Sequence, residues 1–221
     1  MPNTIISASI LSADFARLGD DAKQALDAGA DYIHFDVMDH HFVPNLSFGA
    51  VICQALRNAG ITAPIDVHLM VEDPAAYIKS FADAGATLLT FHPETVKNVA
   101  TTVQQIRDAG MKAGLAFNPE TPVNVAPEIL QTLNLILLMS VNPGFAGQSF
   151  IPGSLDKISA TRKLLKKINS TAMLGIDGGI KTENIGSVAQ AGADFFVVGS
   201  GLFKAQDYAA EIANMRAHLT S

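Results

Sequence analysis

The sequence predicts an α/β protein: eight parallel strands alternating with helices and closed into a single barrel over residues 1–221. Three observations carry that expectation. Short apolar runs alternate with amphipathic stretches, the pattern of a parallel sheet covered by helices. A phrase recurs as Asp27-Ala-Gly-Ala-Asp31, Asp83-Ala-Gly-Ala86, Asp108-Ala-Gly110 and Gln190-Ala-Gly-Ala-Asp194, and each copy precedes an apolar strand. Each copy reads as a helix end, a glycine cap and a new strand. The glycines stand at 29, 85, 110 and 192, so the gaps are close to two, one and three units of about 27 residues. A chain of this length then holds eight units, the count of a (β/α)8 TIM barrel.

The strands are expected near 5–10, 32–38, 64–70, 88–93, 112–118, 135–141, 172–177 and 195–201. Helical stretches lie between most of them, for example 13–28, 73–84, 96–109, 154–168 and 207–219. The helix after the fifth strand looks short. An open doubly wound sheet is the alternative, but no G-x-G-x-x-G follows the first strand. No linker or low-complexity stretch divides the chain.

Composition excludes other classes. Hydrophobic residues make up 48% and charged residues 16%, the reverse of a disordered chain. Lys plus Arg is 15 and Asp plus Glu is 21, a net charge of −6 that argues against a nucleic-acid partner. Apolar runs such as Leu135–Met139 and Phe195–Val198 are far below the roughly 20 residues of a membrane span. Neither a membrane partner nor a signal peptide is expected. Cys53 is the single cysteine, which excludes an intramolecular disulfide and agrees with a reducing cytoplasm.

Polar residues interrupt the apolar strands near their carboxyl ends, where barrel active sites lie. Period two places His34, Asp36 and Met38 on one face of the second strand. It does the same for Asp66, His68 and Met70 on the third, and the seventh ends at Asp177 before Gly178-Gly179. Two imidazoles and two carboxylates suit one divalent ion, with Zn²⁺, Fe²⁺, Mn²⁺ and Co²⁺ all left open. The plainer reading is four separate side chains satisfied by loop backbone. His92 ends a strand and is assigned a place behind the ligands or a structural role. His40, His41 and His218 read as solvated or packing residues. Met38, Met70 and Met139 share the mouth layer, either as core filler or as a compliant apolar lid.

Late loops are rich in glycine: Gly144-Phe145-Ala146-Gly147 after strand six, Gly178-Gly179 after strand seven and Gly199-Ser200 at the end of strand eight. Loops at these places often bind phosphate through backbone N–H groups. Neutral amide donors suit an anion even in a chain of charge −6.

Six stretches resemble the ribulose-phosphate 3-epimerase family, in order along essentially the whole chain. They are Ser9-Ile-Leu-Ser-Ala-Asp-Phe15, His34-Phe-Asp-Val-Met-Asp39, His41-Phe-Val-Pro-Asn45, Asp66-Val-His-Leu-Met70, Met139-Ser-Val-Asn-Pro-Gly-Phe145 and Asp177-Gly-Gly179. The resemblance implies interconversion of D-ribulose 5-phosphate and D-xylulose 5-phosphate by a cytoplasmic enzyme. It implies that His34, Asp36, His68 and Asp177 bind one divalent metal ion, with Asp36 and Asp177 exchanging roles as catalytic base and acid. Ser9 and His68 would touch the sugar. Gly144, Phe145, Ala146, Gly147, Gly178, Gly179, Gly199 and Ser200 would hold the phosphate of a ketose phosphate substrate. Barrels of this size often associate, so a homo-oligomer is expected.

The chemistry agrees with the residues. Inverting a carbon beside a ketone needs two acid/base groups on opposite faces of a planar enediolate, and a metal stabilises that anion. Asp36 and Asp177, on strands two and seven, are expected on opposite sides of the mouth. Four positions depart from the family's usual residues: Ala8 for Pro, Ala146 for Gly, His40 for Gly or Asn, and Gly175 for Glu. Gly175 should lie one layer beneath Asp177 and so bear on its orientation. Three other readings compete. A sister epimerase for six-carbon ketose phosphates shares every motif. A decarboxylase-like barrel needs an Asp-x-Lys-x-x-Asp string that is absent. A non-enzymatic sugar-phosphate scaffold does not need both acid/base carboxylates.

Overall fold

The computed structural model describes residues 4–220. Eight strands form it: β1 (Ile5–Ser9), β2 (Tyr32–Met38), β3 (Ile65–Met70), β4 (Leu88–Phe91), β5 (Lys112–Phe117), β6 (Leu135–Met139), β7 (Met173–Asp177) and β8 (Phe195–Val198). All pair in parallel, each with its sequence neighbours, and β1 pairs with β8 to close the barrel. The helices are α1 (Leu18–Asp27), α2 (Ala50–Asn58), α3 (Ala75–Asp83), α4 (Val99–Asp108), α5 (Pro127–Leu130), α6 (Ser154–Lys167), α7 (Thr182–Ala191), α8 (Ser200–Phe203) and α9 (Tyr208–Thr220). The helix after β5 is indeed short.

The repeated glycines do what the phrase requires. Gly29, Gly85, Gly110 and Gly192 all have positive φ, between 81° and 122°. A Cβ is disfavoured there, so the helix stops and the chain turns into the next strand. Gly60, at φ 91°, closes α2 in the same way after Asn58-Ala59. The predicted helix 13–28 is divided, because Asp14 accepts from Ala16 N and seats a 3-10 turn at Phe15–Arg17 before α1. Several strands end one to three residues early, as the chain leaves the ladder to build the mouth.

Period two sorts the side chains. Ile33, Phe35, Ile65, Leu69 and Phe91 belong to the large core between sheet and helices, with Leu56, Ile78 and Phe81 from the helical layer. A second cluster contains strand residues only: Leu88, Ala116, Leu135, Leu137, Phe195 and Val197. It fills the barrel interior, so the barrel is a packed core and not a pore. Met38, Met70 and Val43 form a third cluster at the mouth. The interior-facing side chains of β2, β3 and β7 also include His34, Asp36, His68 and Asp177, and these make the site.

Candidate active site

The register brings the polar residues together. His34 pairs with Asp66, and Asp36 with His68, across the β2–β3 ladder. Asp177 arrives from the end of β7. His34 Nε2 and His68 Nδ1 each lie 3.1 Å from Asp36 Oδ1 and 3.6 Å from Asp177 Oδ2. One ligand atom from each of the four residues lies within 4.8 Å of the others. For comparison, the edge of a tetrahedron with bonds of about 2.0–2.1 Å is roughly 3.3 Å. The donor set therefore fits one small divalent ion.

Tautomer accounting strengthens the fit. His34 Nδ1 is 2.6 Å from Asp66 Oδ2, and a carboxylate there accepts the Nδ1 proton. The His34 Nε2 lone pair then faces Asp36 Oδ1, another acceptor. Two acceptors at that distance require a cation between them, either a proton or a metal. Burial opposes charge on His34, but Asp36 and Asp66 outweigh it and hold its pKa well above the usual value. Burial opposes charge on His68 too, but hydrogen bonds with Asp177 and Asp36 raise its pKa. Burial would raise Asp36 and Asp177, yet the two histidines depress both.

Above the cluster lies a cavity of about 540 Å³ including its open mouth. Ser9, Gly144, Phe145, Ala146, Gly147, Gly178, Gly179, Gly199 and Ser200 all line it, with Met38, Met70 and Met139, Asp36 and Asp177. Ser9 Oγ donates to Asp36 Oδ2 at 2.9 Å. His34 and His68 are fully buried and stand outside that lining. The glycine at 179 is required by sterics: its φ is +66°, and a Cβ would lie 2.4 Å from Phe150 N. A Cβ on Gly199 would lie 2.8 Å from Ser12 Oγ. Ser12 and Gln148, which sequence reasoning passed over, also border the cavity.

The segment 41–45 supports this loop. Asn45 Nδ2 donates to Gly144 O, and Val43 lies beneath Gly144. Asp39 accepts from the backbone of His41, Phe42 and Glu72, pinning the turn. His40 has φ 61°, which explains why Gly or Asn serves well there. Ala146 has no positive φ, so its methyl is unstrained. Beneath Asp177, the place of a Cβ on Gly175 is crowded by Leu137, Leu135 and Phe195, so apolar side chains fill that layer.

Between β2 and β7 lie β1 and β8 on one side and β3 to β6 on the other, so Asp36 and Asp177 come from well-separated parts of the rim, and one ligand atom of each converges with those of His34 and His68 to within 4.8 Å. One expectation on placement needs correction. His92 does not end β4 but follows it, fully buried, with its Nε2 2.9 Å from His68 Nε2. His40 and His41 are exposed in the loop, and His218 bonds to Asn214 O on α9.

A TIM barrel with a His₂Asp₂ cluster at the carboxyl ends of its strands, under glycine-lined loops, is built as an enzyme with a metal-type centre. A family profile described as the ribulose-phosphate 3 epimerase family matches residues 5–203. The ribulose-phosphate 3-epimerase of Escherichia coli (strain K12) is 53% identical over 219 residues, covering 99% of this chain and 97% of that one. The protein of the same name from Buchnera aphidicola subsp. Acyrthosiphon pisum is 54% identical, covering 99% and 96%. The chain belongs to the ribulose-phosphate 3-epimerase family. Orotidine 5'-phosphate decarboxylase from Pyrococcus horikoshii OT3 has a TM-score of 0.69 at 14% identity over 98% of this chain and all of that one, a likeness of fold alone. Among the described residues no helix is long and apolar enough to cross a membrane.

Proposed function

We propose that residues 1–221 act as one catalytic domain that interconverts D-ribulose 5-phosphate and D-xylulose 5-phosphate, with a divalent ion held by His34, Asp36, His68 and Asp177. The observation that carries this reading is the convergence of two carboxylates from separate strands on one pair of imidazoles, beneath a cavity lined by glycine loops. When bound, the ion supplies Lewis-acid stabilisation of the negative charge that develops on the substrate oxygens.

The chain's own residues do the rest. Backbone amides of 144–147, 178–179 and 199–200 hold the phosphate and so place the ketose over the cluster. One aspartate takes the C3 proton, leaving a planar enediolate; the other, protonated, returns one to the opposite face. Ser9 orients Asp36 through their hydrogen bond. Asp177 has 15% of its side chain exposed against 6% for Asp36, so it is the more open carboxylate. Met38, Met70 and Met139 cover the reacting face and exclude water. The single buried cysteine supports a cytoplasmic setting.

The test is solvent exchange. In D₂O the wild type should place deuterium at C3 of the product. Ion-loaded Asp177→Asn should exchange the C3 hydrogen of one epimer only, without inverting it. Near-normal epimerisation by that variant, or full activity in rigorously metal-free protein, contradicts the proposal.

A further inference from the structure

We propose that His92 is a positioning residue that sets the tautomer of His68, with Glu94 as the acceptor that completes the arrangement. The inference rests on the metal reading above and concerns residues outside the ligand set.

His68 and His92 are both fully buried, and their Nε2 atoms are 2.9 Å apart. With His68 in its neutral, ligand-competent form, the contact between the two imidazoles holds one proton, so there are two arrangements. If His92 donates, the remaining proton of His68 sits on Nδ1 and points at Asp36 Oδ1, 3.1 Å away. His68 is then a hydrogen-bond donor and has no lone pair for a metal. If His68 donates from Nε2, its Nδ1 lone pair faces the cluster, and His92 carries its own proton on Nδ1. Only the second arrangement makes His68 a ligand.

The second arrangement has a requirement that the structure makes visible. His92 Nδ1 is buried with no hydrogen-bond partner. The Glu94 Oε1 carboxylate oxygen is 3.7 Å from it. That carboxylate is held in place by Asn118, whose Nδ2 donates to the same oxygen at 2.7 Å. Lys157 donates in turn to the backbone oxygens of Asn118, Pro119 and Thr121, which fixes the segment carrying Asn118. Phe42 packs on the His92 ring with centroids 4.7 Å apart. A small approach of Glu94 gives His92 Nδ1–H its acceptor.

The two histidine ligands are therefore supported differently. His34 has a carboxylate behind it, Asp66 at 2.6 Å, which admits one tautomer whether or not an ion is bound. His68 has a neutral ring behind it, which admits both. The proton position on His92 decides between them, and it is coupled to occupancy of the centre.

The experiment measures Zn²⁺ affinity of the purified full chain by competition with a chromogenic chelator, together with the ¹⁵N resonances of His68. The wild type loaded with Zn²⁺ should show His68 protonated on Nε2. His92→Phe, which keeps a ring but removes the acceptor, should lose roughly 10- to 100-fold in affinity. His92→Gln, whose side-chain carbonyl reaches toward the Nε2 position, should stay within about 3-fold of wild type, since it restores the acceptor. Glu94→Gln should fall between them. The inference is overturned if folded His92→Phe binds Zn²⁺ as the wild type does, or if His68 in the loaded wild type carries its proton on Nδ1. The resonance needs no variant, so a misfolded His92→Phe does not leave the question open. Failure of the wild type to hold Zn²⁺ would instead sink the metal reading itself.

Discussion

Asp66→Asn separates the support of the proposed metal centre from its ligands. Asp66 is fully buried, and its Oδ2 takes the His34 Nδ1 proton at 2.6 Å, while its Oδ1 has no partner. Asparagine keeps the volume. Its carbonyl still accepts from His34, but a charge-assisted bond worth about 1.5–3 kcal/mol becomes a neutral one worth about 0.5–1.5 kcal/mol. Its NH₂ then takes the place of Oδ1, where no acceptor waits, at a further cost of about 1–3 kcal/mol. Removing a buried charge returns part of this. The net loss in stability should be about 1–3 kcal/mol, small enough against a typical total of about 5–15 kcal/mol for the chain to stay folded. The ligand basicity of His34 falls with its partner's charge, so metal affinity should drop roughly 10- to 100-fold, or about 1.4–2.8 kcal/mol. Urea unfolding of the ion-free protein reads the first effect, and chelator competition reads the second. A folded Asp66→Asn protein with wild-type metal affinity would refute the reasoning that this carboxylate sets up His34.

Acid should compete with the metal. Asp36 and its fellow carboxylates hold protons on His34 and His68 above the usual histidine pKa, while the histidines keep Asp36 and Asp177 ionised. Metal binding must displace the histidine protons, so apparent affinity should climb as pH rises above 6.5 and binding should release protons; constant affinity from pH 6 to 8 would contradict it. In the ion-free protein the sign reverses: raised histidine pKa values stabilise the fold below pH 6.5, and that contribution fades as pH rises through them. Gly179→Ala forces a Cβ onto Phe150 N from a positive φ, so it should cost about 2–4 kcal/mol and raise KM for the phosphorylated substrate; an unchanged denaturation midpoint and KM would show the loop yields freely. Gly175→Glu drives a carboxylate into Leu137, Leu135 and Phe195, so it should lose about 3 kcal/mol or more. Adding Leu137→Ala should recover part of that in thermal unfolding, and no recovery would mean the crowding is not the cause.

Much of the architecture was legible because it is local. A glycine that must take positive φ after a helix reads the same at 29, 85, 110 and 192 wherever it sits in the fold. Period two alone puts His34, Asp36 and Met38 on one side of β2 and the apolar Ile33, Phe35 and Val37 on the other. Those rules depend on backbone geometry within a few residues, so composition and order suffice. The convergence of Asp36 and Asp177 on one pair of imidazoles depends on which strands lie between β2 and β7 once the barrel closes. The partner of His68 is a ring from the loop after the neighbouring strand β4, and the support of Gly144 comes from Asn45, 99 residues earlier. Period two places Gly175 one layer beneath Asp177, and only the packed interior shows Leu137 and Phe195 crowding that place. Such contacts are set by distance in space between residues far apart in the chain. The sequence determined which residues point inward, and the tertiary structure decided which of them touch, because contact depends on closure and packing that no local pattern encodes.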